Sequence, residues 1–357
     1  MAKILHIACE NYAGVPYSLV RAERMLGLNS EIITLYKTRH SISGCKSLNL
    51  PFASGFLPEL LRRFTGSTDI FGNTRYKGAE RPPVWNPERG NFFFFIRDAL
   101  WRKILVRKNV EKMLDDFDIL VLDGGVGLLR SGELVLNWYN RKGKLVSIFY
   151  GDDLRRRGVM RKIDEISKFV FTFEFDHTLI HPRAKFLFYP FFADEMPERK
   201  IVDDGKIRIG HSPTRRASKG TDAILEVLKK IADRHKNVEI VLIEGMTYKE
   251  ALIKKSELDI FIDQIGELGY GISGLEALAM GIPTIVEIQP DFERFLGKHP
   301  FVNADKSFLE KAVEKLIADK NLRDEIGEFG KNWVKKVHNP IKAAEVIFEH
   351  YKKAGWL

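Results

Sequence analysis

Residues 267–285 read Glu-Leu-Gly-Tyr-Gly-Ile-Ser-Gly-Leu-Glu-Ala-Leu-Ala-Met-Gly-Ile-Pro-Thr-Ile. The pattern is a glycine-rich loop, a short helix starting near Ser273, a stop at Gly281 and then a buried strand. Such a corner leaves backbone N–H groups free at a helix N-terminus, where they can receive phosphate. Gly271, Ile272 and Ser273 are the residues placed to offer those donors. Glu276 lies one turn inside the helix, within reach of sugar hydroxyls. The same residues also satisfy a local rule, because Ser273-x-x-Glu276 is the pattern of a capping box.

A second corner lies upstream, at 207–222: Ile-Arg-Ile-Gly-His-Ser-Pro-Thr-Arg-Arg-Ala-Ser-Lys-Gly-Thr-Asp. A strand-like start enters a polar turn, and a helix follows from about Thr221. Arg215, Arg216 and Lys219 supply permanent charge and several donors for a diphosphate. Gly220 lets the backbone come close, and His211, closing the strand, is placed to touch a nucleotide. A solvated basic turn is the alternative for this segment taken alone. Two strand–loop–helix corners that both suit an anion are harder to dismiss.

Together the corners resemble the nucleotide-sugar site of GT-B glycosyltransferases, specifically glycosyltransferase family 4. The resemblance extends along the chain. Ile4-Leu5-His6-Ile7-Ala8 and the loop from Asn11 through Gly14 to Ser18 match the family's opening strand and glycine loop. Tyr150-Gly151-Asp152-Asp153-Leu154-Arg155 stands where many members carry His-Gly-Ser-Asp-x-Arg. Trp333-Val334 and His338-Asn339-Pro340 sit where a final helix would cross back to the first domain.

The resemblance implies a fold of two Rossmann-like, doubly wound parallel-sheet domains facing a cleft. It implies a retaining, metal-independent hexosyltransferase-like transfer from a nucleotide-sugar to a hydroxyl of a glycan or lipid-linked acceptor, with no cofactor. Arg216 and Lys219 would neutralise the leaving diphosphate, with Arg215 beside them, and Glu276 would hold the ribose. The family's first glutamate falls at position 268, which is Leu268 here, so Glu267 or Asp263 is left to hold the sugar hydroxyls. Tyr150 replaces a histidine near the anomeric carbon and is a weak base, with an ordinary pKa of about 10. Asp152 and Asp153 would bind or orient the acceptor, with Gly14 and Arg155 on the same side; an Asp pair can equally cap the next helix. Two rivals remain: a non-catalytic GT-B scaffold or glycan-binding protein, and a nucleotide-sugar epimerase.

Alternation of strand-like and helix-like segments runs through both halves of the chain, which implies parallel sheets with helical crossovers. Strands are expected at 3–8, 31–36, 118–123, 144–149, 169–173 and 177–180, then at 206–211, 238–243, 259–262 and 283–287. The expected division is 1–195, 196–335 and a C-terminal helix over 336–357. Residues 40–95 fit the alternation poorly, hold five prolines, and would face the acceptor. The aromatic and basic stretch Phe92–Lys108 suits either a half-buried helix or an anionic membrane surface.

The 357 residues suffice for two cores, and 45% hydrophobic with 29% charged content is ordinary for a globular protein. A net charge of +9 favours anionic partners, but no zinc-finger, RNP-like or helix-turn-helix pattern supports nucleic acid. Two cysteines are too few for a disulfide framework or a cysteine metal site. The opening residues read as a strand rather than a signal peptide, so a cytoplasmic location is expected, with contact at the inner membrane surface.

Overall fold

The computed structural model describes residues 2–37, 44–53, 82–85, 92–266 and 269–357. The helix-like stretch Leu57–Phe64, Glu267 and Leu268 lie outside the described residues. The chain forms two compact units, one of residues 1–190 with 340–357 and the other of residues 191–339.

Unit 1 carries β1 (Lys3–Ala8), α1 (Val15–Met25), β2 (Asn29–Thr34), β3 (Lys46–Ser47), α2 (Phe92–Arg107), α3 (Val110–Asp115), β4 (Ile119–Asp123), α4 (Glu133–Lys142) and β5 (Leu145–Phe149). After a π-helical turn over Asp153–Arg157 come α5 (Arg161–Ile166), β6 (Phe169–Thr172), α6 (His177–Ile180) and β7 (Ala184–Phe186). The sheet order is β3-β2-β1-β4-β5-β6-β7, and every pair is parallel. β4 and β5 are buried along their whole length, as strands covered on both faces must be.

Unit 2 carries α7 (Arg216–Lys219), α8 (Thr221–Arg234), α9 (Tyr248–Ser256), α10 (Ile272–Ala279), α11 (Pro290–Leu296), α12 (Leu309–Ala318) and α13 (Lys320–Val337). Its strands are β8 (Ile207–His211), β9 (Val238–Leu242), β10 (Ile260–Ile262), β11 (Thr284–Val286) and β12 (Val302–Asn303), in the order β12-β11-β10-β8-β9, again all parallel. α8 buries Ile224, Val227, Leu228 and Ile231, the three-and-four spacing of one helix face. The final helix, α14 (Pro340–Lys353), packs on α1 in unit 1, and Tyr351 and Trp356 stack there beside Phe169.

The expected strand at 177–180 is a helical turn instead. A parallel neighbour needs a crossover first, so the strand beside β6 is β7, after the turn. The short edge strands β3, β7 and β12 carry too few residues to show a pattern in sequence. The helical run that begins at Phe92 is split in two by Asn109, whose φ of 51° leaves the helical region.

Candidate functional site

In unit 2 the strand order reverses at the β8/β10 pair, with β9 on one side and β11 on the other. Ligands of open parallel sheets sit beyond the carboxyl ends of strands at such a reversal. The two corners singled out in sequence leave from these two ends. Gly220 makes their meeting possible: its φ is 65°, and a Cβ there would lie 2.1 Å from the Ile265 carbonyl oxygen. Ile265 N–H in turn donates to the Lys219 carbonyl at 3.2 Å.

Asp263 joins the corners. Its Oδ1 accepts from Lys219 Nζ at 3.0 Å and its Oδ2 from the Gly271 N–H at 2.7 Å. The carboxylate is fully buried and the lysine side chain is 15% exposed. Lys219 Nζ also donates to Gln264 Oε1, and Gln264 Nε2 donates to the Gly269 carbonyl. Lys219 thus stands at the start of α10, so close that a Cβ on Gly271 would lie 3.2 Å from its Nζ. Asp263, one of the two carboxylates expected to hold sugar hydroxyls, has an oxygen on each loop and organises the corner.

The neighbouring cations divide differently. Arg216 forms a forked pair with Glu244, at 2.9 and 2.6 Å, and this hydrogen bonding holds the Glu244 carboxyl below its usual range. Arg215 precedes α7 as its cap. His211 is buried, with Nδ1 2.8 Å from the Ile262 carbonyl and Nε2 2.9 Å from Thr221 Oγ1. A carbonyl only accepts, so Nδ1 carries the proton and Nε2 accepts from the threonine hydroxyl. Burial pushes the ring's pKa down, keeping it neutral. Its ring nitrogens are committed to the fold rather than turned to a ligand.

α10 is capped by Gly271 without any side-chain cap, so the capping box Ser273-x-x-Glu276 does not form. Both side chains turn instead to Lys255 of α9, whose Nζ lies 2.5 Å from Glu276 Oε2 and 2.7 Å from Ser273 Oγ. Burial, then the nearby Glu276 carboxylate, pushes the Tyr248 phenol far up. Sequence reasoning missed Lys255, since Lys254-Lys255 in a helix reads as a solvated face. Nothing in one sequence marks which lysine turns inward.

In unit 1 the order reverses at β1/β4. The loop after β1 ends at Gly14, which caps α1 at φ 72°; Asp123 ends β4, and Tyr150 follows β5. Tyr150 stacks on Phe173 at 6.4 Å, and burial, with Asp123 and Asp153 nearby, raises its phenol well above the ordinary value. Asp153 accepts from the Tyr150 N–H at 3.2 Å and from Arg157 at 3.1 Å, and burial raises its carboxyl. Asp152 starts the π turn without capping it. Arg155 binds Asp176 at 2.7 and 2.6 Å, Glu174 at 2.9 Å and the Gly151 carbonyl at 3.1 Å, so it clamps this loop to the chain after β6. Glu174, Asp176 and Arg157 were not visible as partners in sequence, because they come together only across the sheet's end.

Among the described residues, no group of three His, Cys, Asp or Glu side chains could hold a metal ion. None of the described helices is long and apolar enough to cross a membrane.

No protein-family model matches this sequence, and no curated protein matches it. Solved structures do. HepE of Anabaena, in complex with UDP and glucose, aligns with a TM-score of 0.58 at 10% identity, over 99% of this chain and 100% of its own. TarM of S. aureus, in a complex containing UDP, gives 0.57 at 11% identity over 99% of each chain. A protein assigned as a UDP-N-acetylglucosamine 2-epimerase, from Listeria monocytogenes, gives 0.54 at 12% identity over 99% and 98%. The chain therefore has the α/β fold with two parallel sheets that these GT-B proteins share.

Proposed function

We propose that this protein is a retaining, metal-independent glycosyltransferase of the family 4 kind. It would move a sugar from a nucleotide-sugar to a hydroxyl of a glycan or lipid-linked acceptor. The observation that carries the reading is the joining of the Lys219 turn to the start of α10 through Asp263. A cation and a helix N-terminus then share one spot, the arrangement that stabilises a departing diphosphate. Ile272 and Ser273 precede the first i→i−4 bond of α10, so their N–H groups are the donors for phosphate. Arg216 would exchange Glu244 for the diphosphate, and Glu276 would hold the ribose. Structural neighbours described as a glycosyltransferase and a galactosyltransferase, and two others crystallised with UDP, support the same class.

Tyr150 stays a neutral phenol, so it serves as a hydrogen-bond donor and not as a base. In same-face transfer the leaving phosphate can take the acceptor proton, which leaves Asp153 to orient the acceptor. The likeness to an epimerase favours a second reading, in which the donor isomerises without any acceptor. Incubation with UDP-N-acetylglucosamine alone separates the two, since only an epimerase forms the isomeric sugar nucleotide.

The deciding experiment is thermal unfolding against UDP-, GDP-, ADP- and CMP-sugars. A ligand at a hundred times its dissociation constant stabilises the native state by about 2.7 kcal/mol. One nucleotide class is expected to shift the native protein, and Lys219→Ala is expected to abolish the shift. No shift from any of them, with the protein folded, would favour a scaffold without donor binding.

We further propose that α2 rests on an anionic membrane. It buries Phe94, Arg97, Trp101 and Leu105 and exposes Phe92, Phe95, Ile96 and Val106, at 77, 55, 54 and 71%. Arg102, Lys103 and Arg107 are exposed along the same helix. A basic residue near an anionic surface contributes about 1 kcal/mol. Lys103→Glu with Arg107→Glu should therefore weaken co-sedimentation with phosphatidylglycerol vesicles about tenfold or more. Unchanged binding, or none by the native protein, would count against this contact.

A further inference from the structure

We infer that Lys255 is a positioning residue that presets Glu276 for the two ribose hydroxyls of the donor and so makes the site prefer ribonucleotides. The inference rests on the reading of the α10 corner as a nucleotide-sugar site.

A lysine is almost never fully buried unless it is paired, and the Lys255 side chain is 2% exposed. Its ammonium has three hydrogens. They meet Glu276 Oε2 at 2.5 Å, Ser273 Oγ at 2.7 Å and the Ser273 carbonyl at 3.2 Å. All three acceptors lie on the first turns of α10, while the lysine comes from α9. The Phe261 ring lies 4.7 Å from the same ammonium and walls it from below. Lys255 therefore fixes both the carboxylate and the turn whose free N–H groups face the anion.

Glu276 keeps capacity for a ligand. An ionised carboxylate has about four lone-pair positions. Lys255 occupies one of them, on Oε2. Those that remain are enough for a pair of adjacent hydroxyls. A buried ion pair is a poor source of stability, since apolar side chains of similar volume often do as well. Orientation of the carboxylate is what this pair supplies. Partners of this kind, one step behind a ligand-binding group, typically change affinity about 10- to 100-fold when removed, as metal sites illustrate.

The test is calorimetric titration of UDP, GDP, ADP and CDP and their 2′-deoxy counterparts. The native protein is expected to bind one ribonucleotide about tenfold or more tighter than its deoxy form, by analogy with sites built to hydrogen-bond a hydroxyl. Lys255→Met is expected to lose about 10- to 100-fold for the ribonucleotide and less for the deoxy form, which offers Glu276 only its 3′-hydroxyl, so the preference narrows. Lys255→Gln, which leaves a shorter donor beside the buried carboxylate, guards against misfolding and should lose the preference in part. In Lys255→Met/Glu276→Gln no buried charge is left unpaired, and its affinity should equal that of Glu276→Gln alone, because the residues act as one unit. A folded Lys255 variant with the native preference intact would overturn the inference and leave the donor site standing. If no nucleoside diphosphate binds the native protein, the donor-site reading itself fails, and this inference with it.

Discussion

Raising the pH from 6.5 to 10 is expected to remove about 4 kcal/mol of stability from the unit that holds His6. His6 is fully buried between Glu23, 3.0 Å from Nε2, and Asp123, 3.1 Å from Nδ1. Burial alone would lower its pKa, but the two carboxylates outweigh that and raise it to about 10. A histidine whose folded pKa is raised gives stability that is complete below its unfolded value of about 6.5 and lost as pH climbs through the folded value. Ser30 donates to Glu23, and Tyr351 of α14 lies in the field of both acids. The Tyr351 phenol is itself held far up by burial, so it does not titrate in this window. Urea unfolding at pH 6, 8 and 10 should show the decline, and His6→Leu/Glu23→Gln/Asp123→Asn should flatten it. His6→Leu alone strands two buried carboxylates, which costs about 3–5 kcal/mol. Equal slopes in the native and triple variants would refute this account.

Gly327→Val is expected to destabilise unit 2 by about 3 kcal/mol, at the upper end for overpacking. α13 crosses α10 so closely that a Cβ on Gly327 would sit 2.1 Å from the Gly281 carbonyl oxygen and 2.9 Å from its carbon. Backbone cannot swing aside as a side chain can, so the helices must part. Gly281 ends α10 through its N–H bond to the Leu278 carbonyl at 2.9 Å, and the parting moves the helix whose first turn makes the candidate site. The midpoint in urea should fall and nucleotide affinity should fall with it. Lys331→Ala, on the exposed side of α13, should stay within about 0.5 kcal/mol of the native protein. A Gly327 variant as stable as that one would show that the helices separate freely.

Both corners were legible as strand–loop–helix turns because their signals are local. Glycines, cations and a helix start within a few residues of one another show in the order of the letters. The partners of those groups were not legible. Asp263 was read, alternatively to Glu267, as a sugar ligand, and His211 as a nucleotide contact, because sequence shows which groups stand near a loop but not which atoms the fold has already engaged. Arg155 was placed beside the acceptor, while its guanidinium clamps Asp176 and Glu174.

By itself the sequence determined the alternation of strand and helix, hence parallel sheets, and the two glycine-bearing loops that lead into helices. Periodicity and turn chemistry are properties of neighbours in the chain. Tertiary structure decided the rest. It chose the order of strands, which puts both corners at one reversal of the sheet. It turned Lys255 inward to Ser273 and Glu276, and brought His6 between Glu23 and Asp123. Those choices depend on contacts between residues far apart in the chain, where burial makes each polar group find a partner.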